Sequence, residues 1–219
     1  MKAEGDPAAV EGMSRFGITG AKLLGISMPV LRRMGREIGT NRRLADLLWR
    51  SGYHEARIVA GLIEDPAKIT PAQMDRWTAG FDSWDVCDQC CMNLYRHSPH
   101  AYRKAREWSR SDTTYVKRAG YALMATLAVG DKESKDLRFT GFFRDIQRGA
   151  DDERAIVRKA VNWALRQIGK RSPGLNAAAI RCAETIRRRP EPGPRWVAAD
   201  ALRELRSSPV RRKLGLSVQ

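Results

Sequence analysis

The sequence has no long apolar run and few of the residues that build disulfide, metal or nucleophilic sites. None of its hydrophobic segments approaches the roughly 18 residues that a membrane helix needs, although 42% of the 219 residues are hydrophobic. It has only four cysteines and three histidines. It also lacks a Walker A loop, a G-x-G-x-x-G run after a strand, an H-E-x-x-H pair and a G-x-S-x-G turn. We therefore expect no bilayer-spanning segment, and the patterns of nucleotide-binding proteins, zinc proteases and serine hydrolases are missing.

Targeting and disulfide signals are missing as well. Residues 1–7 contain no apolar stretch followed by a small-residue cleavage site, so we expect a cytoplasmic protein. Cys87, Cys90 and Cys91 lie close together, whereas Cys182 is distant. This distribution does not form a disulfide framework and fits a reducing compartment.

Acidic residues are outnumbered by basic ones. The chain has 40 Lys and Arg against 25 Asp and Glu, which gives a net charge of +15 and a pI near 10.3. Such an excess attracts polyanions, so nucleic acid is the default partner. A basic but inert surface, or one suited to anionic lipid or ribosomes, is the alternative. No block is purely basic, which argues against a disordered cationic tail.

Alternating, β-branched runs are absent, and helical periodicity continues from about residue 8 to the end. Thr70-Pro71 and Ser27-Met28-Pro29 are typical helix starts, and the acidic run 151–153 suits the start of another. Glycines mark the expected helix ends, at Gly39, Gly52, Gly80, Gly130 and Gly169. The sequence therefore predicts an all-α protein of about ten to twelve helices joined by short loops.

Three of the predicted helices resemble one another. Val116–Leu123 recurs as Val157–Leu165, 41 positions later, and Ala164–Ile168 resembles Ala201–Leu205, 37 positions later. Any two amphipathic helices look somewhat alike, but periods near 40 residues are typical of HEAT and armadillo arrays. We predict a right-handed α-solenoid of HEAT-like repeats, forming a single domain over residues 1–219, with 1–10 and 208–219 frayed.

The predicted solenoid has a concave face formed by the second helix of each repeat. The basic residues shared by the related helices would line this face and give a directed phosphate-binding groove. They are Lys117, Arg118, Arg158 and Lys159.

The most unusual local sequence is the run 81–91. If Ser83 caps a helix, Trp84 lies in its first turn and Asp88 one turn further on the same side. An aromatic ring beside a carboxylate would make a plausible site facing a basic groove. Spacing alone favours the other interpretation, in which Trp84 lies in the core and Asp88 pairs with a nearby arginine, because tryptophan is usually a core residue.

Cys87 and Cys90 have C-x-x-C spacing, and His97 and His100 follow. On one continuous helix, His97 would lie roughly 15 Å beyond the cysteines, too far to bind the same zinc ion. We therefore expect no metal or other cofactor, and interpret these thiols as small buried hydrophobic groups.

Several segments taken together resemble the AlkD-type DNA alkylation repair glycosylases. They are Trp84–Asp88, Val116–Ala119 and Lys159–Arg166, and Leu24–Arg32 looks like the family's segment leading into its early helices. The likeness runs in order from residue 16 to about residue 170. It implies a HEAT-like solenoid, acting as a monomer near the nucleoid, that removes N3- and N7-alkylated purines from duplex DNA without metal.

The resemblance also implies roles for single residues. Asp88 resembles the catalytic carboxylate, Trp84 and Trp163 resemble the aromatic residues that pack on the lesion's backbone, and Arg118 resembles the arginine that holds the DNA. Phe16 stands where active members of the family tend to have tyrosine. A hydroxyl contact to the DNA would therefore be missing, and the resemblance does not imply the same substrate range or efficiency. The full set of expected DNA contacts is Arg118, Lys117, Arg158, Lys159, Arg166 and Phe16. The alternatives are a non-catalytic repeat protein that binds damaged or branched DNA, or RNA, and a protein-binding scaffold.

Overall fold

The computed structural model describes residues 1–19 and 22–217. The regular secondary structure in these ranges is helical, with no strand. The helices are α1 (Pro7–Ser14), α2 (Met28–Ile38), α3 (Arg42–Ser51), α4 (His54–Ile63), α5 (Pro71–Ala79), α6 (Trp84–Asn93), α7 (Ala101–Trp108), α8 (Thr114–Gly130), α9 (Leu137–Thr140), α10 (Phe142–Gly149), α11 (Ala155–Gly169), α12 (Pro173–Arg187), α13 (Pro192–Leu205) and α14 (Ser208–Lys213). Short 3-10 helices lie at Lys2–Glu4 and Tyr95–His97. Within the described ranges, no helix is both long and apolar enough to span a bilayer.

The predicted helix starts are confirmed. The Thr70 side chain accepts a hydrogen bond from the Gln73 amide at 3.1 Å, and Pro71 occupies the first turn of α5. Ser27 precedes α2, although its side chain makes no capping bond. At the start of α11, the Asp152 carboxylate accepts a hydrogen bond from the Arg154 amide at 3.0 Å. Thr70 and Asp152 thus satisfy backbone donors that a helix start leaves without partners.

The predicted helix ends are also confirmed. Gly39, Gly52 and Gly80 directly follow α2, α3 and α5, and Gly130 and Gly169 are the last residues of α8 and α11. Gly52 has a left-handed backbone with φ of 74°, a conformation that a Cβ atom disfavours.

The helices form two compact units, Met1–Ala101 and Tyr102–Gln219. In the first unit, α3 packs on α4, and the second helices α2, α4 and α6 lie in a row. Small residues bring these second helices close together: a Cβ on Gly35 would lie 3.0 Å from Leu62, and one on Gly61 would lie 3.3 Å from the Cys90 sulfur. In the first helices, Trp49 and Trp77 stack with ring centroids 4.3 Å apart.

The second unit repeats this arrangement. Its second helices α8, α11 and α13 pack side by side, while α10 packs on α11 and α12 packs on α13. We call α7, α10 and α12 the first-helix layer of this unit. The related segments recognised in the sequence lie in α8, α11 and α13, which are successive members of the second-helix layer. The helix-pair repeat is therefore confirmed here.

Ordered helices extend into the ends that we expected to fray. Helix α1 begins at Pro7, and α14 spans Ser208–Lys213 with Val210 only 7% exposed. The single domain and the fraying in solution stay predictions.

Candidate nucleic-acid interface

Trp84 and Asp88 lie on α6, in the first unit. Ser83 caps this helix by accepting a hydrogen bond from the Val86 amide at 3.4 Å, as predicted. Trp84 is the first helical residue and Asp88 lies one turn later, and both side chains are partly exposed. The helix start therefore positions the aromatic ring and the carboxylate on neighbouring turns.

The Trp84 indole is not a core group. Its Nε1 donates a hydrogen bond to the backbone carbonyl of Phe16 at 2.9 Å, while the Phe16 residue is 73% exposed. The interpretation that buried Trp84 in the core is therefore wrong. Phe16 contacts the Trp84 indole through its backbone carbonyl, and its ring remains accessible.

A buried polar cluster at the start of α6 was not predicted. His54 Nε2 lies 2.7 Å from Asp85 Oδ2, and the other carboxylate oxygen accepts a hydrogen bond from the Ser83 hydroxyl. Burial raises the pKa of Asp85, but the hydrogen bond and charge interaction with His54 and the Ser83 bond outweigh it, so that the pKa is lowered overall. The cluster links α4 to α6 across 31 residues. The sequence indicated only that Asp85 lies near a helix start, and gave no sign of its pairing with His54.

The thiols of α6 are buried, as the sequence indicated. Cys87, Cys90 and Cys91 are all 0% exposed. Burial raises the pKa of Cys90 and of Cys91 well above the ordinary value, with the neighbouring thiols adding to the effect. Across residues 1–19 and 22–217, no group of three or more His, Cys, Asp or Glu is placed to hold a metal ion.

Arg118 lies in the second unit and is only 6% exposed. Its Nη1 donates a hydrogen bond to the Ile156 carbonyl at 2.6 Å and so joins α8 to the start of α11. This internal contact supports the second-helix layer. The DNA contact expected of Arg118 stays a prediction.

Two further residues that were predicted to contact DNA hold the loop before α11. Lys117 Nζ lies 2.9 Å from Asp152 Oδ2, and Arg158 Nη1 donates to the Asp152 carbonyl at 3.1 Å and also to the Glu153 carbonyl. Burial raises the pKa of Asp152, but hydrogen bonds from Arg154 and Lys117 outweigh it and lower the pKa overall. These basic side chains therefore hold the acidic loop.

The remaining predicted residues of the second unit lie on α11. Arg166 pairs with Glu204 and, at 3.7 Å, with Asp200, both on α13. Trp163 is partly exposed, and its Nε1 lies 3.3 Å from the Gln167 amide oxygen when that amide is turned toward the indole. Lys159 is exposed. Of the basic residues predicted to contact DNA, Lys159 is the one that the structure places in the exposed class.

The structure thus places the predicted residues in two groups. Phe16, Trp84 and Asp88 belong to the first unit, and the basic residues with Trp163 belong to the second. All of them except Phe16 lie on second helices, namely α6, α8 and α11. The convergence of Trp84 and Trp163 on one lesion stays a prediction.

Paired helices in successive layers define an α-helical repeat protein. Residues 1–205 match the model of a family described as DNA alkylation repair enzyme, and the chain belongs to this family. The resemblance inferred from the sequence is thereby confirmed.

One solved structure supports the repeat fold. This structure, from work described as a new family of proteins related to the HEAT-like repeat DNA glycosylases with affinity for branched DNA structures, aligns with a TM-score of 0.80. It is 18% identical and covers 99% of this chain and 93% of its own, so the likeness shows a HEAT-like repeat fold. A designed armadillo repeat protein in complex with the peptide (KR)4 aligns with a TM-score of 0.43 and 12% identity, over 84% of this chain and 78% of its own. The curated proteins contain no match to the chain.

Proposed function

We propose that this protein is a DNA glycosylase that hydrolyses the N-glycosidic bond of cationic N3- and N7-alkylated purines in duplex DNA. The observation that carries the proposal is that the polar side chains at the start of α6 have different positions and contacts. Ser83 caps the helix and Asp85 pairs with His54, so these two side chains provide polar contacts at the helix start. Asp88 instead lies partly exposed one turn beyond the anchored Trp84.

The chemistry needs little besides such a carboxylate. An N-alkylated purine is already cationic, so it departs as a neutral base without protonation by a general acid. What remains is to stabilise an oxocarbenium-like sugar and to orient water. An ionised Asp88 can do both, and the electron-rich faces of Trp84 and Trp163 would stabilise the same developing charge.

DNA binding is supported by the net charge of +15 and by the exposed Lys159 on α11. Lys117, Arg158 and Arg166 already hold acidic or carbonyl groups of the protein. In this proposal they reach phosphates by exchanging these partners or by using their remaining N–H donors.

The test is release of N7-methylguanine from duplex DNA by the wild type and by Asp88→Asn. The substitution keeps the side-chain size and removes the charge, so we expect release to fall by at least about 100-fold, the scale of losing one electrostatic or acid–base contribution. Binding to the same duplex should change little. The matched control is Asp82→Asn, which removes an exposed carboxylate near the start of α6 and should retain activity. Equal release by Asp88→Asn and the wild type would rule out the proposed role.

A second candidate function is binding of branched DNA without base release. It is favoured by Phe16, which has no hydroxyl where active members tend to have one, and by the branched-DNA affinity ascribed to the family of the structural neighbour. If the wild type releases no methylated purine but binds a junction more tightly than a linear duplex, this second function replaces the first.

A further inference from the structure

An arginine cluster surrounds one buried carboxylate in the second unit. Asp145 on α10 is 0% exposed. Its Oδ2 lies 3.3 Å from Arg106 Nε, and its Oδ1 lies 3.4 Å from Arg110 Nε and 3.2 Å from Arg148 Nη1. We call Arg106, Arg110 and Arg148 the arginine cluster.

The charges in this cluster do not balance. Three guanidinium groups carry +3 and Asp145 carries −1, which leaves an excess of two positive charges. One well-placed guanidinium neutralises a buried carboxylate, so the other two exceed what Asp145 requires. The three arginine side chains are each about half exposed, at 49%, 52% and 50%.

The guanidinium groups also keep hydrogen-bonding capacity. Each has five N–H donors, whereas the contacts with Asp145 use one or two of them. A guanidinium fork fits two oxygens of a phosphate group, which makes arginine the preferred residue for phosphate recognition.

The backbone beneath the cluster is fixed by Tyr121 of α8. Its hydroxyl lies 2.9 Å from the Asp145 carbonyl and 3.3 Å from the Ser109 carbonyl, so α10 and the end of α7 are held by the same side chain. A Cβ on Gly149 would lie 2.1 Å from that hydroxyl. The arginines therefore extend from a closely packed base, which lowers the entropy cost of binding an anion.

We propose that the arginine cluster is a phosphate-binding site for a second segment of duplex DNA, located on the first-helix layer formed by α7 and α10. It differs from the predicted interface, whose basic residues lie on the second helices α8 and α11. With both surfaces engaged, one molecule holds two duplex arms. The inference relies on the DNA-binding part of the proposed function and is independent of base release.

The test compares binding to a synthetic three-way junction and to a linear duplex with the same number of phosphates. Arg110→Gln leaves Arg106 and Arg148 to neutralise Asp145. Arg144→Glu reverses an exposed charge one turn before Arg148 without removing any contact to Asp145. We expect Arg110→Gln to weaken junction binding roughly tenfold near 0.1 M salt, and to reduce the salt slope by about one, as the loss of one phosphate contact predicts. Arg144→Glu should also weaken junction binding, because a negative charge one turn from Arg148 repels the phosphate. Binding to the linear duplex should fall much less.

The matched control is Arg212→Glu, an equal charge reversal at an exposed position of α14 in the same unit. It should alter junction binding far less than Arg144→Glu. The proposal is overturned if neither Arg110→Gln nor Arg144→Glu weakens junction binding more than this control. It is also overturned if inorganic phosphate titrated into the wild type binds tightly at the cluster and Arg110→Gln abolishes that binding, because the ligand is then a small anion.

Measuring release of N7-methylguanine from the linear duplex separates the two proposals. If Arg110→Gln and Arg144→Glu release base as the wild type does but bind the junction more weakly, the inference is supported. If the wild type releases no base while the two variants still weaken junction binding, only the glycosylase proposal is contradicted.

Discussion

At the scale of single residues, Asp85 illustrates how tertiary contacts assign a carboxylate its role. It sits two positions after the cap of α6, where any acidic residue would be favoured by the helix dipole. Its partner His54 lies 2.7 Å away and is 6% exposed, so the pair is well shielded from solvent. This pairing gives Asp85 a structural role in joining α4 to α6.

The lowered pKa of Asp85 predicts a pH-dependent loss of stability. Because its folded-state pKa is below that of the unfolded chain, ionised Asp85 stabilises the fold above the unfolded value of about 3.9. This contribution is lost as the pH falls through the folded value. We expect Asp85→Asn to lower the free energy of unfolding at pH 7 by about 1–3 kcal/mol, and the difference from the wild type to shrink below about pH 4.

Urea unfolding at several pH values measures this difference. Asp82→Asn serves as the control, since Asp82 is 59% exposed in its pair with Arg57 and surface pairs contribute at most about 1 kcal/mol. A difference between Asp85→Asn and the wild type that stays constant from pH 7 to pH 3 would contradict the assignment.

At the scale of elements, the packing of α7 on α8 depends on Gly120. A Cβ at this position would lie 2.3 Å from the Ser109 amide nitrogen and 2.9 Å from the Ala105 carbonyl oxygen. These are backbone atoms, which cannot move without shifting a helix. Gly12 in α1 offers a contrast, because a Cβ there would meet nothing within 4 Å.

We therefore predict opposite effects for the same substitution in two helices. Gly120→Ala should lower the free energy of unfolding by about 1–3 kcal/mol or more, as overpacking does. Gly12→Ala should raise it by up to about 1 kcal/mol, because alanine reduces the entropy of the unfolded chain. Thermal or urea unfolding of both variants tests the pair, and equal stabilities would show that α7 and α8 can separate without cost.

At the scale of the whole molecule, the charge excess predicts attraction to a polyanion such as DNA. Many of the 40 basic residues already contact carboxylates, as Lys117, Arg154 and Arg166 do. What remains is an excess of 15 positive charges, which attracts a polyanion irrespective of sequence.

Binding to undamaged duplex DNA should therefore depend steeply on salt. Neutralising two or more phosphates predicts a loss of affinity of roughly tenfold or more between 50 and 200 mM salt. The exposed Lys159 should contribute about one unit of the logarithmic slope, which Lys159→Ala would remove. Fluorescence anisotropy over a salt series gives both values. Affinity that is independent of salt would show that the excess charge does not face the DNA.

The sequence by itself determined the elements of this protein and its family. Helix starts such as Thr70-Pro71 and helix ends such as Gly52 depend on a few neighbouring residues, so a local pattern is enough to find them. The repeat was visible because successive helix pairs must bury similar faces against each other, which imposes similar residues at a period near 40.

Only the tertiary structure decided which polar groups pair. His54 contacts Asp85 31 residues away, Arg118 contacts the Ile156 carbonyl 38 residues away, and Arg166 contacts Glu204 38 residues away. Each partner lies about one repeat along the chain, on or beside the next stacked helix. A local sequence pattern spans only a few neighbouring residues, so it cannot predict such a pair. The sequence could therefore propose Arg118 and Arg166 as DNA contacts, but packing between repeats gave both residues partners within the protein.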